Sequence, residues 1–162
     1  MKQYKFTFVG DSNTEKSNFL YRLYQSYDSQ IQSAFQSSYV YNCTVNGQQI
    51  KYELQDTPCQ DDFNHMRYLY YFKTDVFVIC YQHISGVQNW VLEIQKQFKK
   101  APIALLQLSS DTIQTQNGEI TNIMRENKIK THLKQNDENE NQNFVIHELL
   151  QIAINEWNFQ RK

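Results

Sequence analysis

A chain of 162 residues with 40% apolar and 14% aromatic content is long enough to bury one core and too apolar to be disordered throughout. Its formal charge of −1, from 16 basic and 17 acidic residues, leaves no basic footprint for nucleic acid. No apolar run approaches a membrane span, and three cysteines, odd in number and widely spaced, suit reduced thiols in a cytoplasmic protein better than a disulfide frame.

The N-terminus, MKQYKFTFVG, offers no apolar leader and opens into a strand over residues 5–9 that runs into Gly10. Residues 16–27 place Phe19, Leu20, Leu23 and Tyr24 at helical spacing. Residues 28–38, rich in Ser and Gln and aperiodic, are expected to form a loop. Two strands, 39–46 and 48–55, flank Asn46-Gly47, a strong hairpin signal. A helix over the 60s leads into VFVICY at 76–81, a continuous apolar run that predicts a strand covered on both faces. Residues 87–99 carry Val87, Val91, Ile94 and Phe98 on one helical face, and Pro102 opens a second buried strand, IALLQL. A short helix at 119–127 precedes a polar, acidic loop at about 135–143, QNDENENQN. A last amphipathic helix at 144–159 stripes Ile146, Leu149, Leu150, Ala153, Ile154 and Trp157. The pattern predicts a single α/β domain over 1–162. Its sheet is open, mostly parallel and six-stranded, with helices on both faces and ligands at the carboxyl ends of the strands.

Residues 10–17, GDSNTEKS, have the outline of the phosphate-binding loop G-x-x-x-x-G-K-[ST], with Glu15 in place of the second glycine. Asp56-Thr57-Pro58-Cys59-Gln60 lines up with D-T-A-G-Q, and Gln60-Asp61-Asp62-Phe63 with Q-E-D-Y. Arg67 and Leu69 fall on L-R-P-L, Thr74-Asp75-Val76-Phe77 on T-D-V-F, and Trp90-Val91-Leu92-Glu93-Ile94 resembles W-x-P-E-I. By these motifs, over residues 3–111, the chain resembles the Ras-superfamily small GTPases, closest to the Rho family, though without the long helical insert typical of Rho proteins.

The resemblance implies a P-loop NTPase fold and a set of site residues. Gly10, Ser12, Asn13, Lys16 and Ser17 would cradle phosphates, and Ser17 and Asp56 would hold Mg²⁺. Gln60 would orient an attacking water, and Asp111 would pair with the guanine edge. The departures are as specific. A carboxylate at Glu15, ~4 Å from a phosphate at an effective dielectric of about 20, costs about 4 kcal/mol. If it faces solvent on the first helical turn, the helix dipole favours it instead. The Mg²⁺-binding threonine of the first switch falls on Ala34, which has no oxygen. Ser33 substitutes only by a register slip. Cys59, after the donorless Pro58, replaces the glycine that meets the γ-phosphate. The base-packing lysine falls on Ser109.

His65, His83, His132 and His147 show no ligand spacing with the cysteines, so no zinc site is expected. The aromatic run Tyr68, Tyr70, Tyr71 and Phe72 is in excess of core needs and suggests an interface around Phe63, Met66, Arg67 and Tyr70.

Two functions follow. The favoured one is a pseudo-GTPase adaptor docking by its switch side onto protein partners in a larger assembly, the cytoskeleton being the candidate, with no tightly held nucleotide. The other is a GDP- or GTP-binding switch, with Mg²⁺ and slow or absent hydrolysis. The last residues, NEWNFQRK, contain no cysteine for a prenyl group, so a cytoplasmic protein without a lipid anchor is expected.

Overall fold

The computed structural model describes residues 1–26, 31–35, 37–59, 64–108, 117–135 and 143–159. Among the described residues seven strands form one sheet, in the order β2-β3-β4-β1-β5-β6-β7. β1 (Lys2–Val9) pairs in parallel with β4 (Gln48–Asp56) on one side and β5 (Val76–Tyr81) on the other. Parallel pairing continues through β6 (Ile103–Leu108) to β7 (Thr131–Gln135). β3 (Ser38–Val45) runs antiparallel to β4, and Asn46 and Gly47 turn between them with φ of 50° and 77°, the left-handed pair that a two-residue hairpin requires.

The six expected strands are present, and a seventh lies where a loop was expected. β2 (Ile31–Phe35) pairs antiparallel with β3, Ala34 opposite Tyr39 and Ser33 opposite Val40, with an irregularity between Ile31 and Ser33. The Ser- and Gln-rich stretch around it hid it, because a short edge strand is held by the hydrogen bonds of its neighbour and needs no apolar alternation of its own. The polar loop expected at about 135–143 falls almost wholly outside the described residues. Gln135 ends β7, and Asn143 opens the last helix.

Alternation along the buried strands feeds two cores. Val76, Val78 and Cys80 of β5 face one way, with Phe6 and Phe8, toward α1 (Lys16–Ser26) and α5 (Asn143–Phe159). Phe77, Ile79 and Tyr81 face the other way, toward α2 (Asn64–Tyr71), α3 (Val87–Gln97) and α4 (Asn117–Glu126). Phe19, Leu20 and Leu23 bury the inner stripe of α1, while Val87, Trp90, Val91 and Ile94 bury that of α3. A 3-10 turn at Ile84–Gly86 leads into α3. Among the described residues no helix is long and apolar enough to cross a membrane.

Candidate functional site

β1 lies where the strand order reverses, between β4 and β5, and the segment after it crosses the carboxyl end of the sheet. Gly10 has φ of 155°, and a Cβ there would collide with the Cys80 carbonyl oxygen, so only glycine lets the loop leave the sheet at this point. The loop then closes on itself. The Asp11 carbonyl accepts from the Thr14 amide at 3.1 Å and from the Thr14 hydroxyl at 2.8 Å. Ser12 and Asn13 are exposed at its crest.

Glu15 adopts φ of 60°, the left-handed conformation that the motif's glycine takes at no steric cost. Its carbonyl accepts from the Phe19 amide at 2.8 Å as α1 begins, and its exposed carboxylate accepts from the Asn18 side chain on the outside of that helix. Of the two readings of Glu15, the outward one holds in this arrangement.

Lys16 and Ser17, the first residues of α1, meet Asp56 at the end of β4. The buried Lys16 ammonium pairs with Asp56 Oδ1 and donates to the Thr57 carbonyl at 2.8 Å. Ser17 Oγ donates to Asp56 Oδ2 at 2.6 Å. Thr57 is anchored in turn, its hydroxyl donating to the Phe8 carbonyl at 2.7 Å. Four residues expected to share a site, Gly10, Lys16, Ser17 and Asp56, are therefore brought together. Beneath them the buried Cys80 thiol is pushed up to about 12 by burial and is chemically quiet. Pro58 and Cys59 follow, both half-buried. Gln60, Phe63, Ser109 and Asp111 lie outside the described residues, so the expected base-recognition residues and the expected water-orienting glutamine carry no geometry here.

The interface residues divide. Met66 is exposed and Tyr70 half-buried, but Arg67 is 2% exposed and faces inward, which removes it from any outer surface. Its Nε and one terminal nitrogen fork onto Glu93 of α3 at 3.0 and 2.8 Å, and its guanidinium carbon lies 4.9 Å from the centre of the Trp90 ring. Tyr71, one turn further along α2, donates to the same Glu93 carboxylate at 2.6 Å. Burial works against the Arg67 charge, but the bonds and field of Glu93 more than offset it and hold its proton above the usual range. Burial first and Glu93 second push the Tyr71 phenol well up. The sequence pattern misplaced Arg67 because an eight-residue helix buries one face only, and spacing alone does not say which. The large apolar side chains that α2 and its end do expose are Met66, Leu69 and Phe72.

Sequence reasoning also missed Asp11. Its carboxylate accepts from Trp90 Nε1 at 2.9 Å, and a Cβ on Gly86 would strike its other oxygen. No local pattern signals this pairing, since 79 residues separate its two partners.

A strand ending in a phosphate-loop outline, a Lys-Ser pair opening the next helix and an Asp at the end of the neighbouring parallel strand define the small-GTPase class of P-loop fold. The Ras family profile matches residues 5–151, and the chain belongs to the Ras family. Among curated proteins it is similar to the Rho-related GTP-binding protein RhoV. The rat protein (Rattus norvegicus) is 31% identical over 114 residues, which cover 66% of this chain and 48% of the relative. The human protein (Homo sapiens) is 30% identical, and the bovine one (Bos taurus) 29%, over the same spans. The chain thus spans about half the length of the curated relatives it matches.

Proposed function

We propose that this chain is a Rho-like adaptor of the small-GTPase fold, docking on protein partners by its switch-side surface and not acting as a γ-phosphate sensor. One observation carries the reading. Ala34, which falls where the family's first switch supplies an oxygen to Mg²⁺, is paired in β2 opposite Tyr39. Bringing Ser33 to that position requires β2 to slip one residue along β3, out of the register that sets Ser33 opposite Val40. Pro58, without an amide hydrogen and with fixed φ, stiffens the second switch in the same direction. The partner is expected within a cytoplasmic assembly such as the cytoskeleton.

The convergence of Lys16, Ser17 and Asp56 supports a second reading, a guanine-nucleotide-binding protein with slow or absent hydrolysis. A hydroxyl and a carboxylate oxygen suit a hard cation such as Mg²⁺, an ammonium at the start of a helix suits phosphate oxygens, and Glu15 is turned aside. In this reading Gly10, Ser12, Asn13, Lys16 and Ser17 hold the phosphates, and Asp111 reads the base.

Calorimetric titration with Mg·GDP and with Mg·GTP, alongside a phosphate-release assay, separates the two. The adaptor reading expects no tight Mg·GTP, at most weak Mg·GDP, and no phosphate release above buffer. A Kd of about 1 μM or below for either nucleotide, about −8.2 kcal/mol, establishes the nucleotide-binding protein instead, with or without turnover.

A further inference from the structure

We propose that Trp90 is a positioning residue that fixes the phosphate loop and α2 against one another, its indole N–H serving the loop and its ring face serving the helix. On the loop side, both ends of Asp11 are engaged. Its carbonyl holds the Thr14 amide and hydroxyl, which shapes the turn, while its carboxylate accepts from Trp90 Nε1 at 2.9 Å. The start of α3 backs this contact, since Gly86 leaves room for the carboxylate where a Cβ would not. On the helix side, the guanidinium of Arg67 lies 4.9 Å from the Trp90 ring centre and forks onto Glu93, three residues further along α3. Tyr71 donates to the same carboxylate. Trp90, Arg67 and Tyr71 are buried, while the Asp11 and Glu93 carboxylates that accept from them keep one side open to water. α3 therefore acts as the fixed element, and the orientation of the loop and that of α2 are both referred to it. The tie is built of protein groups alone, so it goes beyond the adaptor reading and stands or falls separately from it.

Two substitutions divide the halves. Trp90→Phe keeps a ring for Arg67 and removes the donor. Gly86→Ala, at φ −88° and ψ −16° where alanine is unstrained, displaces the Asp11 carboxylate and leaves Trp90 untouched. Amide hydrogen exchange, read without nucleotide at Thr14 and at residues 64–71, reports each half. Both variants are expected to speed exchange of the Thr14 amide about tenfold, the effect of losing one hydrogen bond to a charged group, while α2 exchanges as in the wild type. Trp90→Leu is expected to speed both. A Thr14 amide unchanged in Trp90→Phe and Gly86→Ala, or α2 unchanged in Trp90→Leu, overturns the proposal. Should Trp90→Leu fail to fold, NMR of the wild-type protein replaces it. The Arg67 side-chain resonances are expected upfield of their usual positions from the Trp90 ring current, and ordinary shifts overturn the assignment.

Discussion

Glu15 shows how a single residue can break a motif and keep its backbone. A carboxylate replaces a glycine, yet φ remains at 60° and the side chain leaves the loop for Asn18. The charge penalty that the sequence implies depends on proximity, and outward rotation removes most of it. What stays is conformational strain, roughly 1–2 kcal/mol for a non-glycine residue in the left-handed region. Glycine relieves that strain but adds unfolded-state entropy, costing roughly 0.5–1 kcal/mol. Glu15→Gly is therefore expected to raise stability by about 0.5–1 kcal/mol, whereas Glu15→Ala gives no gain because alanine carries the same strain. Denaturant melts of the two variants check this, and equal stabilities would show that φ at this position is not the cost. The charge is tested apart from the backbone by Glu15→Gln. An outward carboxylate predicts that any Mg·GDP affinity changes by less than about threefold, against roughly a thousandfold if the group faced the phosphates.

Between elements, α2 has two faces with opposite duties. Arg67 and Tyr71 bind it to α3, and Met66, Leu69 and Phe72 remain outside. Loss of partner binding in Arg67→Ala would then report a loosened helix, not a lost contact. Removing the guanidinium strands the Glu93 carboxylate, about a quarter exposed at 23%, and a cost of about 2 kcal/mol in stability is expected, below the buried-pair range because water reaches that carboxylate. Leu69→Ser and Phe72→Ser, at 74% and 65% exposure, are expected to leave stability within about 0.5 kcal/mol. If α2 is the docking face, each weakens partner capture by more than about 1 kcal/mol. Stability and partner affinity measured on all three variants separate these roles, and silent exposed positions would move the interface elsewhere. The same element marks what was legible in the sequence. Apolar runs and the Asn46-Gly47 turn gave five strands and the helices between them, because burial on both sheet faces writes itself as period and composition, while the sixth strand was expected from the fold pattern alone. β2 and the inward side of α2 were not legible, since an edge ladder is backbone chemistry and the facing of a short helix is fixed by a partner on α3, distant in sequence. That Lys16, Ser17 and Asp56 lie together was legible because a loop outline and a strand end each carry a local signature; Asp11 with Trp90 carries none.

Across the whole molecule, stability responds to pH through groups that the fold moves in opposite directions. His132 on β7 is half-buried, its Nε2 2.7 Å from the Tyr81 hydroxyl. Desolvation first and the charge of Lys134 second lower its pKa. The folded state thus takes up this proton less readily than the unfolded chain. Its contribution is complete above the unfolded value of about 6.5 and is lost as pH falls from there through the folded value. Asp75 behaves oppositely. Burial raises its pKa, although the Lys5 amide donating at 2.7 Å works against the rise. The folded state holds that proton more firmly, so its contribution is present below the unfolded value of about 3.9 and is lost as pH rises through the folded one. Stability should accordingly decline from pH 7 to 5 and then decline less steeply as Asp75 takes up its proton. Chemical melts across this range, on the wild type and on His132→Gln and Asp75→Asn, assign the two limbs. His132→Gln should flatten the upper limb while leaving the lower one, and Asp75→Asn should do the reverse. If His132→Gln follows the wild type in parallel from pH 7 to 5, the proton lost on folding belongs to another group, and the Tyr81–His132 contact has no part in the acid response.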